Sequence, residues 1–293
     1  MTVWSLTQVQ AFTASRLPDL QVLASEPFTG GFWNEVQRLE TTVGDLVLKR
    51  YRPVLPGSLF PNLPQDEARA LTCLAGLQVA PDLVGYWPED QVLIYRHVPG
   101  PEWHDDVEAA AQLMRRQARA EPTGFRTVPV AAADILAQAD GFLAACDPDD
   151  MTQALHACRP LPRPSPPAPL CLIHTDPAAA NLVGSGAGLR LIDWQCPALG
   201  DLAEDVAVLF APAFRSLYNR PLITDDQRQR FLTTLADPAL AARLPALEPA
   251  YVWRLAAYCA RRAQTAPDKA LSRRYRVAAH VQAKALQSLR NNP

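Results

Sequence analysis

The sequence predicts an α+β protein in two lobes, a small antiparallel-sheet lobe over residues 1–98 and a mostly helical lobe over 99–293. Three observations predict it. β-Branched and aromatic residues gather in EVQRLETTV, DLVLKRY and QVLIYRHV, all before residue 99. Beyond Gly100, segments rich in alanine and leucine repeat with the 3.6-residue period of helices. Between the early and late helices sits one short strand pair, CLIHTD through NLV and then LRLIDW.

Taken in order, the first two strand segments flank Val43-Gly44-Asp45, whose turn chemistry makes them a hairpin. PQDEARALTCLAGL follows with Ala68, Leu71, Leu74 and Leu77 on one helical face, and Pro81 is expected to close that helix. QVLIYRHV then ends at Pro99-Gly100. Helices are expected near 105–120, 130–145, 201–213, 225–236, 248–264 and 267–289. The chain has 28 prolines against 13 glycines, and the dense run PLPRPSPPAPL excludes helix and central strand. It reads as a stiff connector, the alternative being a ligand for a proline-binding domain. The cluster Gly184–Gly188 lies between two strands and opens no helix, so it reads as a hairpin turn rather than a phosphate cradle.

Composition excludes several functions. With a formal net charge of −2, 48% hydrophobic and 20% charged residues, the chain has no general pull on nucleic acid or an anionic membrane. No run of about 18 apolar residues occurs and the N-terminus lacks signal-peptide blocks, so a cytoplasmic protein is expected. The six cysteines form no CxxC pair, which argues against a zinc or redox motif and for buried free thiols.

Chemistry is concentrated in His174-Thr175-Asp176-Pro177-Ala178-Ala179-Ala180-Asn181, with Asp193 beyond the hairpin. The catalytic loop of protein kinases has the same Asp-to-Asn interval and a following Asp across a hairpin. In-line phosphoryl transfer needs a carboxylate beside the attacking hydroxyl and hard oxygens for magnesium. On that reading Asp176 is the catalytic group and Asn181 and Asp193 hold Mg2+. His174, at a strand end, reads as a structural group.

HTDPAAANLV with LRLIDWQCPALGDLAEDVAVL resembles the signature of the aminoglycoside phosphotransferase and choline kinase superfamily, which has a protein-kinase-like fold. Its pattern is His-Gly-Asp, four residues, Asn, then Ile-Asp-Trp-Glu and a Gly-Asp-x-x-x-Asp helix start. The resemblance spans roughly residues 25 to 265 and implies an ATP- and Mg2+-dependent kinase for a hydroxyl of a small metabolite. It also implies that Asp205 braces the catalytic loop. Gly30 and Gly31 in FTGGFWNEVQRLE resemble the family's phosphate loop, and Tyr95-Arg96-His97-Val98 its hinge, where adenine would meet backbone near Arg96 and Val98.

Lys49 ends an otherwise apolar strand, and Glu67 lies on the apolar side of the next helix, where a carboxylate is costly unless paired. A Lys49–Glu67 pair is therefore expected, with Asp66 as the spare acid. Three departures from the family pattern stand out: Thr175 for glycine, the apolar run Ala178-Ala179-Ala180, and Gln195 for glutamate. They motivate the alternative of a nucleotide-binding module without transfer activity. Arg254, Arg261, Arg262, Arg273 and Arg274 argue against a polycationic acceptor, and Trp103, Trp194, Tyr251, Trp253 and Tyr258 are either an aromatic box or core.

Overall fold

A computed structural model describes residues 3–28, 34–53 and 58–291. Its first half is built on a five-stranded antiparallel sheet of β1 (Val22–Pro27), β2 (Glu35–Thr41), β3 (Leu46–Arg50), β4 (Leu83–Trp87) and β5 (Val92–Arg96), in the order β1-β2-β3-β5-β4. Helix α1 (Leu6–Arg16) precedes the sheet and α2 (Pro64–Cys73) lies between β3 and β4. Strand alternation divides the side chains of β3 and β5 between two cores. Leu46, Leu48, Val92 and Ile94 pack toward Val9 of α1, while Val47, Tyr51, Leu93 and Tyr95 join the main core. Lys49 shares the second face and is 2% exposed.

The second half is helical: α3 (Val107–Gln117), α4 (Ala132–Ala144), α5 (Asp150–Ala157), α6 (Leu202–Leu209), α7 (Pro212–Leu217), α8 (Asp225–Leu235), α9 (Pro238–Thr265) and α10 (Lys269–Asn291). Four short strands interrupt them. β6 (Cys171–Ile173) pairs with β9 (Ala198–Gly200), and β7 (Leu182–Val183) pairs with β8 (Arg190–Leu191). The glycine cluster makes the turn between β7 and β8. Glycine is required at both Gly100 and Gly184, because a side chain on Gly100 would meet the Gly184 Cα at 2.8 Å and one on Gly184 would meet the Gly188 carbonyl oxygen at 2.7 Å. That close approach docks the segment after β5 onto the β7–β8 hairpin, through Gly184 N–H to Pro101 O and Trp103 N–H to Leu182 O.

Several expectations are corrected. α2 ends at Cys73 rather than near Pro81, because the backbone turns left-handed at Gly76 and Gln78. The helix expected over 201–213 is two helices, with Pro212 at the first turn of α7. α9 begins ten residues earlier than expected, at Pro238 behind an Asp237 N-cap, and carries Pro245 and Pro249 inside it. CLIHTD through NLV is two strands in two sheets, separated by the loop that holds Asp176. No helix among the described residues is long and apolar enough to cross a membrane.

Candidate active site

The sheet contributes an ammonium and α2 a carboxylate. Lys49 Nζ lies 2.6 Å from Glu67 Oε2 and is also paired with Asp193 Oδ1. Glu67 is 1% exposed, in the first turn of α2. The Tyr51 hydroxyl donates to the same Glu67 Oε2, and its ring centroid is 5.0 Å from the Lys49 nitrogen. Burial works against the charge on Lys49, yet Asp193 and Glu67 outweigh it and hold its pKa above the ordinary value. Burial, helped by the charge of Asp193, holds Glu67 above its ordinary value despite Lys49 and Tyr51. Asp66 turns instead to Arg69 at 2.6 Å.

The loop after β6 is held by its main chain. His174 N–H donates to Asp205 Oδ2 at 2.9 Å and Thr175 N–H to Asp205 Oδ1 at 2.8 Å. Gln117 of α3 adds a bond from Nε2 to Asp205 Oδ2 at 2.7 Å, and another to the Leu172 carbonyl. Burial pushes Asp205 up to about 7 against the pull of these donors. α6, which carries Asp205, is fixed by two buried ion pairs, Asp201–Arg243 at 2.9 Å and Glu204–Arg254 at 2.7 Å.

His174 is fully buried, its ring edge-on to Trp194 and its Nε2 3.0 Å from the Ile192 carbonyl. Asp176 N–H points at its Nδ1 at 3.3 Å, so the network assigns the proton to Nε2. Burial lowers the imidazole to about 4 and keeps it neutral. Asn181 donates from Nδ2 to the Asp176 carbonyl at 2.9 Å, and Ile192 N–H donates to the Asn181 carbonyl. These bonds stitch the loop of Asp176 to the segment bearing Asp193. Burial, then the charges of Asp193 and Asp205, push Asp176 up to about 7.

Thr175 and Asp193 both have left-handed backbone, at φ +68° and +64°. A β-branched residue there is strained, and the glycine it replaces would not be. The Thr175 hydroxyl donates to the Cys196 carbonyl at 2.8 Å, a compensating bond that glycine lacks. Ala178 and Ala179 are buried while Ala180 is exposed, so within that run Ala180 alone presents its side chain to solvent. Gln195 is buried and accepts from Asn34 Nδ2 at 2.9 Å; Asn34 also bonds Asn62. This neutral amide net ties the root of β2 to the segment just after Asp193.

The structure thus brings Lys49, Glu67 and Asp193 into contact, and links Asp176, Asn181, His174 and Asp205 through one loop. At the hinge, Arg96 gives its own N–H to the Asp82 carbonyl, and Val98 is half-buried. Gly30 and Gly31 lie outside the described residues. Sequence reasoning missed Tyr51, Gln117, Asn34 and the arginines of the two buried pairs, since only the fold decides which partner each of them meets. Trp103, Trp194, Tyr251, Trp253 and Tyr258 are all core, which removes the aromatic-box reading for them. Arg254 is spent on Glu204 and Arg261 on the Ala145 carbonyl, while Arg262 sits over the Tyr275 ring.

The sequence matches the description "phosphotransferase enzyme family" over residues 25–243. It is 31% identical over 189 residues to a thiamine kinase of Salmonella gallinarum, a match covering 64% of this chain and 60% of that protein. Its fold is similar to that of a choline/ethanolamine kinase family protein from Mesorhizobium loti (TM-score 0.65, 17% identity, 97% of this chain and 94% of that one). A choline kinase from Streptococcus pneumoniae (TM-score 0.65, 16% identity, 94% and 98%) is similar too. So is a spectinomycin phosphotransferase solved with ADP and its antibiotic (TM-score 0.64, 11% identity, 98% and 99%).

Proposed function

The chain belongs to the phosphotransferase enzyme family, and from that premise we propose that it is a kinase moving the γ-phosphoryl group of ATP to a hydroxyl of a small metabolite. The observation that carries this reading is the buried Lys49 ammonium, shared between Glu67 and Asp193, whose segment is bonded through Ile192 to Asn181 of the Asp176 loop. The nucleotide lobe is taken to run to residue 98 and the helical, acceptor-binding lobe from 99. Lys49, held by Glu67, meets the α- and β-phosphates, with the backbone near Arg96 and Val98 at the base of the nucleotide site. Such a reaction belongs in the cytoplasm, beside its ATP supply.

In the transfer the acceptor oxygen attacks the γ-phosphorus, the bond to the β–γ bridging oxygen breaks, and ADP leaves. The hydroxyl proton passes to Asp176, whose raised pKa suits it to take that proton near neutral pH. Asn181 and Asp193 fit a magnesium ion. With Asn181 Nδ2 spent on the Asp176 carbonyl, its oxygen is left for a cation, and the Asp193 side chain is 34% exposed. A magnesium ion held there would take its remaining ligands from water and phosphate. Bound there, the ion would neutralise charge on the transferring phosphate.

For the acceptor, Tyr218 and Tyr275 both feel the charge of Asp176, and Arg262 and Arg274 lie beside them. The positive charge on that side suits an acceptor of low charge better than a polycation. Thiamine, named in the relatives, is the first acceptor to try. The test is ADP release with thiamine, choline and an aminoglycoside, each with Asp176→Asn as control. One acceptor is expected to give turnover that the control lowers about a thousandfold. Tight Mg·ATP binding with no acceptor turned over would favour a nucleotide-binding module, the alternative that the three departures from the family pattern motivate.

A further inference from the structure

We propose that Tyr51 is a positioning residue of the nucleotide site, its hydroxyl holding the Glu67 carboxylate on Lys49 when Asp193 leaves the ammonium. The inference rests on the kinase reading, in which Asp193 turns to a metal and Lys49 to phosphate.

Three contacts carry it. Lys49 near the end of β3 and Tyr51 just beyond it, two residues apart, both donate to one oxygen, Glu67 Oε2. Glu67 and Tyr51 are both buried, so no solvent molecule stands ready to replace the hydroxyl. Lys49 is shared, since Asp193 Oδ1 competes for it. When Lys49 divides its protons between Glu67 and phosphate oxygens instead, Tyr51 keeps a second, fixed donor on the carboxylate. The hydroxyl is neutral, so it steadies Glu67 without competing with phosphate for positive charge. Its ring meanwhile lies against the ammonium, limiting where Nζ can swing.

The experiment compares wild type, Tyr51→Phe, Glu67→Gln and the double variant. Mg·ATP affinity is read by calorimetry without acceptor, kcat and both KM values by ADP release, and folding by thermal melting. Tyr51→Phe keeps the ring and removes one oxygen. It is expected to weaken Mg·ATP binding or lower kcat by about tenfold, leaving the acceptor KM unchanged. In the Glu67→Gln background the same change is expected to cost less than about twofold, because its partner is already altered. Equal losses in both backgrounds, or no loss in the first, would overturn the proposal. Should Glu67→Gln not fold, Tyr51→Leu replaces that arm: a loss matching that of Tyr51→Phe assigns the effect to the hydroxyl, and a loss confined to leucine overturns it. Wild type that binds Mg·ATP but turns over no acceptor would refute the kinase reading alone, since the binding arm still decides the role of Tyr51.

Discussion

In the loop of Asp176 the main chain carries the bonds, with His174 and Thr175 giving their N–H groups to Asp205, whereas around Lys49 the bonds run from side chain to side chain. The difference teaches where each region tolerates change. A loop pinned by its backbone keeps its shape when its side chains vary, so Thr175 and the alanine run can depart from the family pattern without moving Asp176. A cluster of charges that partner one another has no such slack. Its members, Lys49, Glu67 and Tyr51, are each the other's reason for being buried.

The largest test of that contrast is Asp205→Ala. It leaves two backbone N–H groups without their acceptor in a buried site and takes one of the two acceptors of the Gln117 amide, and is expected to cost about 3–5 kcal/mol in a urea melt. Activity should fall at least about a hundredfold as the loop loosens. A loss below about 1 kcal/mol would mean that the stitching from Asn181 and Ile192 suffices and that the contrast is drawn in the wrong place.

Much of this was readable beforehand, and for a physical reason. Motif spacing in a loop is local, so Asp176, Asn181, Asp193 and Asp205 could be placed from HTDPAAANLV and the helix start that follows. The Lys49–Glu67 contact was readable because a carboxylate on an apolar helix face demands a cation. α1, β1, β4, α5 and β9 were not read. β1 and β4 lack clean alternation, with β4 half-buried along its whole length, and α1 buries only Val9 and Thr13. α5 did carry a signal that was overlooked, the capping box of Asp149 and Thr152. The early start of α9 was hidden by Pro245 and Pro249, which buried partners such as Arg243, Leu244 and Leu247 allow inside a helix.

A second, smaller effect separates the regions by pH. Asp176 is pushed up to about 7, so kcat/KM is expected to fall tenfold per pH unit below about 7 as the carboxylate takes up a proton. Lys49, held above its ordinary value, contributes no loss on the alkaline side near neutrality. The sign for stability is opposite to that for catalysis. A carboxylate with a raised folded pKa favours the fold fully below its unfolded value of about 4, and that contribution is lost as pH climbs through about 7. A pH–rate profile measured with a saturating and a limiting acceptor decides the matter, and an acid limb near pH 4 would show Asp176 ionised at all working pH values.

The smallest expected effect is also the sharpest on the comparison, because Thr175 is a side-chain feature in the backbone-held region. Replacing it with glycine removes the strain of a β-branched residue at φ +68°, worth about 1–2 kcal/mol. Against that stand the lost hydroxyl bond to Cys196, about 1 kcal/mol, and the extra freedom glycine gives the unfolded chain, about 0.5–1 kcal/mol. These terms nearly cancel, so Thr175→Gly should change stability by less than about 1 kcal/mol and kcat by less than about threefold. Thr175→Ala keeps most of the strain and loses the bond, so it should be the worse of the two. If glycine instead costs more than about 2 kcal/mol, the hydroxyl fastens the loop to the segment behind Asp193, and side chains hold both halves of the site after all.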